Sequence, residues 1–423
     1  MANTNDTGHA PDIRLIDLIT CLSDAMDYID PAVVSHHKQV AYIASCLGEE
    51  MGLSEEEQRD LILAGVLHDI GAFSLKERKD TLQFEINAPQ THAERGYILL
   101  KLFEPLAGIA SAVRFHHIPW SKGEGAVFEK ERVPRLSNIL FLSDRIAVLI
   151  NKKREVLGQV PKICKVIRQH ANSMFMPELV DVFLQVASKE YFWLDLASPS
   201  LQTILSRRLQ DRRIGLESGD MLGFSQLFSR IIDFKSPFTA THSSGVATSA
   251  DMLARFYGFS EKDCLLVRIA GYLHDLGKLA VPSEILNKPE KLMKKEFNVI
   301  RHHTFYTYRI LETVPQLHIV NQWASYHHER LDGSGYPFHL AKQDLPMGSQ
   351  IMAVADVFTA ITENRPYRAG MTMGNAVNVL DSMAGKSALN RDIVSLLKAH
   401  YDEIDFARMN AQAAATRQYK VLQ

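Results

Sequence analysis

Apolar residues recur at three- and four-residue intervals along nearly the whole chain, the spacing of one face of an α-helix. The stretch 263–273, DCLLVRIAGYL, shows it clearly, with Ala270 and Gly271 small enough for close packing against a neighbouring helix. Residues 296–311 and 376–399 continue in the same period. Ser54 with Glu57, and Ser260 with Asp263, read as N-caps with an acidic residue three positions on, so helices are predicted to begin there. Strong strand-like alternation is absent. The pattern predicts an all-α protein.

The pattern also repeats. Residues 61–71, LILAGVLHDIG, lie over 267–277, VRIAGYLHDLG, and Gly52-Leu53-Ser54-Glu55 lies over Gly258-Phe259-Ser260-Glu261, all at an offset of 206. Past the His-Asp pair the offset becomes 211 and then 212, so the second copy carries short insertions. Such an interval marks a duplicated domain, because solenoid repeats run only about 20–50 residues. The predicted organisation is one helical bundle over 1–197, a helical linker over 198–225, and a second bundle over 226–423. A length of 423 residues suits two such domains. The tail after residue 409 reads equally as helix or as frayed chain.

Inside the repeat sits a recurring set of metal-ligand residue types. The first copy has His36, His68, Asp69, His92, His116, His117 and Asp144; the second has His242, His274, Asp275, His303, His327, His328 and Asp356. The first His and the His-Asp pair are 32 apart in both copies, and the third His and the His-His pair are 24 apart in both. Ten of the 17 histidines belong to these sets, and scattered histidines do not keep such intervals. Imidazole and carboxylate donors suit Fe, Mn, Zn or Ni better than Mg or Ca. Seven ligands suffice for two ions, and Asp275, embedded among imidazoles, is the natural bridge.

Composition narrows the picture. Net charge is −2, which leaves no electrostatic footprint for a nucleic-acid polymer. No apolar run approaches the roughly 18 residues of a membrane span. Cys21, Cys46, Cys164 and Cys264 form no CxxC motif and read as reduced thiols in a cytoplasmic protein. The polar N-terminus, MANTNDTGHAPD, has no signal-peptide core.

The segments His274-Asp275-Leu276-Gly277-Lys278, HHERLDGSGYP from His327 to Pro337, Ala355-Asp356-Val357-Phe358 and Arg365-Pro366-Tyr367-Arg368 resemble the HD-GYP phosphodiesterases. The likeness covers about residues 225–408. It implies an all-α HD-type hydrolase that opens a cyclic dinucleotide, cyclic di-GMP or 3′,3′-cyclic GMP-AMP, to the linear form. It further implies two divalent transition-metal ions, iron or manganese. One is held by His242, His274, Asp275 and Asp356, the other by Asp275, His303, His327 and His328, and a bridging hydroxide attacks phosphorus. Lys278 is then expected to contact the phosphate or assist the leaving oxygen. Arg365 and Arg368 suit a phosphate or a guanine edge. Tyr336 is expected either to line the pocket or to face a signalling protein at the GYP loop. Phe238 and Thr359 depart from the family, which often has Glu and Asp there, so a dinuclear site is favoured over a trinuclear one.

The first copy keeps every ligand position but has Ala72 for the lysine and HHIPWSKGEG for the GYP loop. It also lacks the RPYR segment, with Ile146–Ile150 reading as plain helix. A regulatory domain is the favoured reading, ahead of a structural or dimerising domain and a second hydrolase. Its seven ligands remain candidates for a second metal site. Bland readings attach to other residues. His302 and His37 are expected to be solvent-facing or to support a neighbouring ligand, His318 and His339 to be ordinary surface or core histidines, and Trp323 and Phe358 to be core. Rival functions for the chain are an HD hydrolase of other nucleotides and a non-catalytic cyclic-dinucleotide receptor. A homodimer is a further option.

Overall fold

A computed structural model of the chain describes residues 13–27, 35–73, 75–85, 90–209, 218–235, 241–288, 290–364 and 369–422. Helices account for nearly all regular structure among them. One two-stranded hairpin, Val127–Phe128 with Glu131–Arg132, follows the first copy's His-His pair. The predicted caps are present. Ser54 Oγ accepts from the Glu57 amide at 3.3 Å while Glu57 accepts from the Ser54 amide at 2.9 Å. Ser260 Oγ accepts from the Asp263 amide at 3.1 Å. Each cap satisfies amide groups that a helix start leaves without partners.

The chain forms two compact units, residues 26–213 and residues 1–25 with 214–423. These bounds differ from the sequence-based 1–197, 198–225 and 226–423. The helix Leu15–Asp27 begins in the C-terminal unit, where Cys21 Sγ donates to the Ile310 carbonyl at 3.3 Å. Its buried face, including Leu18, Ile19 and Leu22, explains why it packs there instead of ending the first domain. The expected linker also shrinks. Helix Leu201–Arg208 packs on helix His36–Glu50 of the N-terminal unit, and helix Ser218–Lys235 packs on Glu261–Leu273 of the C-terminal unit. Residues 210–217 lie outside the described residues.

Within each unit the same two helices cross. In the N-terminal unit they are His36–Glu50 and Glu55–Leu67; in the C-terminal unit, His242–Tyr257 and Glu261–Leu273. A Cβ on Gly65 would lie 2.6 Å from Ala41 Cα, and one on Gly271 would lie 2.4 Å from Ala247 Cα. Real carbon atoms cannot approach so closely, so only glycine permits this crossing. The crossing brings the first two histidines of each set together, with His36–His68 and His242–His274 ring centroids both 5.4 Å apart. The tail resolves as helix: Tyr401–Leu422 runs on and packs against His242–Tyr257. Trp323 and Phe358 are core, as expected.

Candidate metal centre

In the C-terminal unit five segments deliver the seven predicted ligands. His242 opens helix His242–Tyr257, and His274 caps the end of Glu261–Leu273 with Asp275 just beyond. His303 lies within Lys294–Glu312, His327 and His328 follow His318–Ser325, and Asp356 lies inside Met347–Thr362. The doublet thus sits at a helix end and not on a helix, because the chain must turn there to meet His303. Gly277 makes that turn fit: a Cβ would lie 1.9 Å from the His303 carbonyl oxygen. Gly71 stands in the same relation to His92, at 2.1 Å.

The seven side chains converge. His242 Nε2 is 3.2 Å from Asp356 Oδ1, His274 Nε2 is 3.3 Å from Asp275 Oδ2, and His303 Nε2 is 3.4 Å from Asp275 Oδ1. His328 Nδ1 is 3.7 Å from Asp356 Oδ2, and His303 and His327 lie 3.4 Å apart through Nε2. Two groups of donor atoms, His242–His274–Asp356 and His303–His327–His328, are each compact enough for one ion. Asp275 shares a third group with His274 and His327, which spans the other two.

Hydrogen bonding fixes which nitrogen faces inward. His274, His303 and His327 each place Nδ1 at 2.6–2.8 Å from the carbonyl three residues back, at Gly271, Ile300 and Ala324. A carbonyl only accepts, so Nδ1 carries the proton and Nε2 presents its lone pair to the centre. Asp275 Oδ1 is buried among these nitrogens without a hydrogen-bond partner. A buried carboxylate oxygen left bare is costly unless a cation meets it, so the donor set fits metal ions. Burial lowers His303 to about 4 and His328 to about 3, and holds His327 well below its ordinary value. Asp275 behaves oppositely: burial would raise its carboxyl, but His274 and Lys278 outweigh burial and hold it well below the usual range.

Several partners had no signature in the sequence. Glu363, seven residues after Asp356, is buried and sits 3.1 Å from His242 Nδ1. Burial opposes charge on His242, yet Glu363 and Asp356 raise it to about 10. The same field attracts any cation. Glu329 is also buried, and its two oxygens accept from the Phe338 and Leu340 amides at 2.7 and 3.1 Å. It thereby ties down the GYP loop. Gly335 lets the loop fold back, since its Cβ would lie 2.4 Å from Glu329 Cα. Tyr336 then lies 5.0 Å from His328 between ring centroids, with the Arg301 guanidinium 4.6 Å from its ring centroid. Lys278 reaches back to Asp275, Nζ to Oδ2 2.6 Å. Thr359 is buried, its methyl group facing Gly245. Arg365, Arg368 and Phe238 lie outside the described residues.

The N-terminal unit repeats the convergence and closes it. His36, His68, Asp69, His92, His116, His117 and Asp144 are all buried. His68 and His116 bond the carbonyls of Gly65 and Val113 as their counterparts do. Six of the seven present a buried polar atom without a partner, among them His36 Nε2, Asp69 Oδ1 and Asp144 Oδ1. Two features differ. The Thr81 hydroxyl donates to Asp69 Oδ2 at 2.9 Å, where Lys278 stands on Asp275. Arg145, which reading Ile146–Ile150 as plain helix passed over, is fully buried and pairs with Asp144 at 2.5 Å. It also donates to the carbonyls of Thr81, Gln83 and Phe84. The His117 side chain is 3% exposed, against 24% for His328. His37 is buried, its ring 5.6 and 5.4 Å from those of His36 and His68, while His302, His318 and His339 are exposed.

Family models described as HD domain match residues 33–149 and 226–393. The 3′3′-cGAMP-specific phosphodiesterase 1 of Vibrio cholerae is 31% identical over 379 residues, which span 87% of each chain. The cyclic di-GMP phosphodiesterase response regulator RpfG of Xanthomonas campestris is 34% identical over 172 residues, 40% of this chain and 46% of that protein. A crystal structure of a cyclic GMP-AMP specific phosphodiesterase of V. cholerae, V-cGAP3, superposes with a TM-score of 0.64 at 23% identity, covering 92% of this chain and 98% of that one. The last likeness concerns fold alone. Among the described residues no helix is long and apolar enough to cross a membrane. With both HD-domain matches and a relative aligned along most of its length, the chain belongs to the HD-domain phosphodiesterase family.

Proposed function

We propose that this protein is a metal-dependent phosphodiesterase that opens a cyclic dinucleotide, cyclic di-GMP or 3′,3′-cyclic GMP-AMP, to the linear dinucleotide, and that only its C-terminal unit does so. The observation that carries the division is the contrast between two similar ligand clusters. One has Lys278, the GYP loop and a partly open His328; the other is buried at all seven residues and has Arg145 on Asp144. The substrate class is that of the relatives named above.

His242, His274, Asp275 and Asp356 would hold one divalent ion, and Asp275, His303, His327 and His328 a second. Bound ions supply Lewis acidity and lower the pKa of water. Iron and manganese both suit this nitrogen-rich set. Asp275 is kept ionised by its neighbours, so it offers a full negative charge at every working pH. Lys278 stands on that carboxylate with its side chain 17% exposed, close enough to the surface to meet a phosphate oxygen or the departing 3′-oxygen. Tyr336, beside His328 and Arg301, offers a ring to a base or ribose. Arg365 and Arg368 are assigned to the second phosphate or a guanine edge. We place contact with a signalling protein at the exposed Phe305 and Phe338 beside the GYP loop. Four free cysteines suit a reducing cytoplasm. The N-terminal unit is assigned a regulatory role, with its seven ligands as a closed second metal site.

The test uses the full chain with its metals counted. Cyclic di-GMP, 3′,3′-cyclic GMP-AMP and cyclic di-AMP are offered, with Asp275→Ala as control. Turnover of at least one of the first two, lost in Asp275→Ala and kept in His68→Ala/Asp69→Ala, is the expected result. No turnover by iron- or manganese-loaded protein sinks the enzyme reading. Loss in the N-terminal variant with retention in His274→Ala/Asp275→Ala sinks the division of labour.

A further inference from the structure

The C-terminal unit has a second polar cavity, of about 220 Å³, whose lining includes none of the seven ligands. Its walls are the helices Ser218–Lys235, His242–Tyr257, Glu261–Leu273 and Tyr401–Leu422. Ala411, Ala414 and Ala415 leave the space, and two arginines, Arg230 and Arg268, line it. Among the described residues Arg230 donates to the neutral Gln418 Oε1, at 2.8 Å. Arg268 Nε is buried without a hydrogen-bond partner. Among the described residues neither arginine has a carboxylate within ion-pair distance. Asp251 feels the charge of Arg268 but bonds to Arg255. Asp233, the one carboxyl group in the lining, is turned to the hydroxyls of Ser229 and Ser243 at 3.3 and 3.2 Å.

Two cations lining one cavity, neither with a carboxylate at ion-pair distance among the described residues, call for an anionic ligand. Guanidinium groups match phosphate oxygens in shape and charge, and a dianion balances both. The volume falls below the roughly 300–1,000 Å³ usual for larger ligands, so it suits a phosphate on a single sugar better than a whole dinucleotide. We propose that this cavity binds a terminal phosphate monoester, and so senses the product of the chain's own reaction. The inference rests on the hydrolytic reading above. When water adds across the bond between phosphorus and the 3′-oxygen, that oxygen leaves with a proton. The phosphate stays on the 5′-oxygen with one more hydroxyl, as a monoester. The cyclic substrate contains only diesters, each with one charge, so the second charge belongs to the product alone. The cavity also backs the metal site: Ser244 and Thr248 line it from the helix that His242 opens, and Asp233 bonds Ser243 beside that ligand.

The test is equilibrium dialysis on the full chain carrying His274→Ala/Asp275→Ala, which removes hydrolysis. Probes are inorganic phosphate, 5′-GMP, the methyl diester of 5′-GMP, and guanosine. Phosphate or 5′-GMP is expected to bind at least tenfold more tightly than the diester or guanosine. Arg230→Gln and Arg268→Gln should each weaken that binding by roughly tenfold or more, with partial recovery in Arg268→Lys. Circular dichroism checks that the variants fold. Tighter binding of 5′-GMP than of phosphate supports the monoester as the occupant; tighter binding of free phosphate overturns the product-sensing reading. Equal binding of guanosine, indifference to both arginine variants, or no binding at millimolar concentration overturns it. Because the protein used is hydrolysis-dead, failure here leaves the hydrolytic reading standing, and failure of turnover leaves the binding result standing.

Discussion

Replacing Glu363 tests how the metal centre acquires its affinity. The carboxylate lies 3.1 Å from His242 Nδ1, with both side chains only 5% exposed, and it accepts a second bond from Gln412 Nε2 at 3.3 Å. At that separation two unit charges attract by about 5 kcal/mol in an effective dielectric of 20, before the cost of desolvation. The carboxylate favours a proton on His242 and also favours a metal ion beside it. A divalent ion feels the field on two charges and the proton on one, so the ion gains more. Glu363→Gln keeps an acceptor for Nδ1–H and removes the charge; Glu363→Ala removes both. Loss of such a supporting partner typically weakens metal binding about 10- to 100-fold, or roughly 1.4–2.7 kcal/mol. Gln should fall at the low end and Ala at the high end. The assay is competition with a chromophoric chelator at pH 7, run beside turnover against added metal. Excess metal should restore turnover in Glu363→Gln. Unchanged or tighter metal binding in Glu363→Ala would show that Glu363 is packing and not a tuner of the site.

Further expectations follow from neighbouring contacts. Lys278→Met should lower kcat by roughly 10²- to 10⁴-fold with metal content unchanged, by mass spectrometry of the purified protein; parallel loss of metal would mean that Lys278 only supports Asp275. Arg145→Leu should destabilise the N-terminal unit by about 3–5 kcal/mol in urea unfolding, because Asp144 is left buried and unpaired, and Asp144→Asn in the same chain should recover part of the loss. Gly277→Ala should lower Tm and metal content together, since its methyl group cannot coexist with the His303 carbonyl oxygen at 1.9 Å. Asp233 has its carboxyl raised well above the ordinary range, chiefly by burial, against the opposing pull of His242. Its protonated form therefore stabilises the fold fully below roughly pH 4, and that stability is lost as pH rises through the raised value. In metal-stripped protein, Asp233→Asn should flatten the fall in Tm above roughly pH 4; parallel curves for the two proteins would refute this.

The ligand set was legible in the sequence because helices impose spacing. A residue that opens a helix, one that caps the next, and a pair that follows a third stay at fixed intervals when the domain is duplicated. Hence His36 and His242 could be matched, as could Asp144 and Asp356, and the all-α class followed from the same periodicity. The glycines at 271 and 277 belong with them, since each marks a place where backbone meets backbone. The domain limits were less legible: a polar, helix-competent stretch does not say which bundle its helices will join, and the helix from Leu15 goes to the C-terminal unit although its sequence precedes the first.

Glu363, Asp233 and Arg145 carried no signal of that kind. Each acts through a long or buried side chain on a partner that packing brings near, at 121 residues' separation for Glu363 and His242. Arg145 stands next to a recognised ligand and still read as helix filler, because only the folded chain places the Thr81, Gln83 and Phe84 carbonyls around its guanidinium. By itself the sequence determined that two similar ligand clusters exist and that one has a lysine and a GYP loop. Tertiary structure decided that one cluster is open and the other sealed. Exposure and charge balance depend on which distant groups share a small volume, and that is a property of packing.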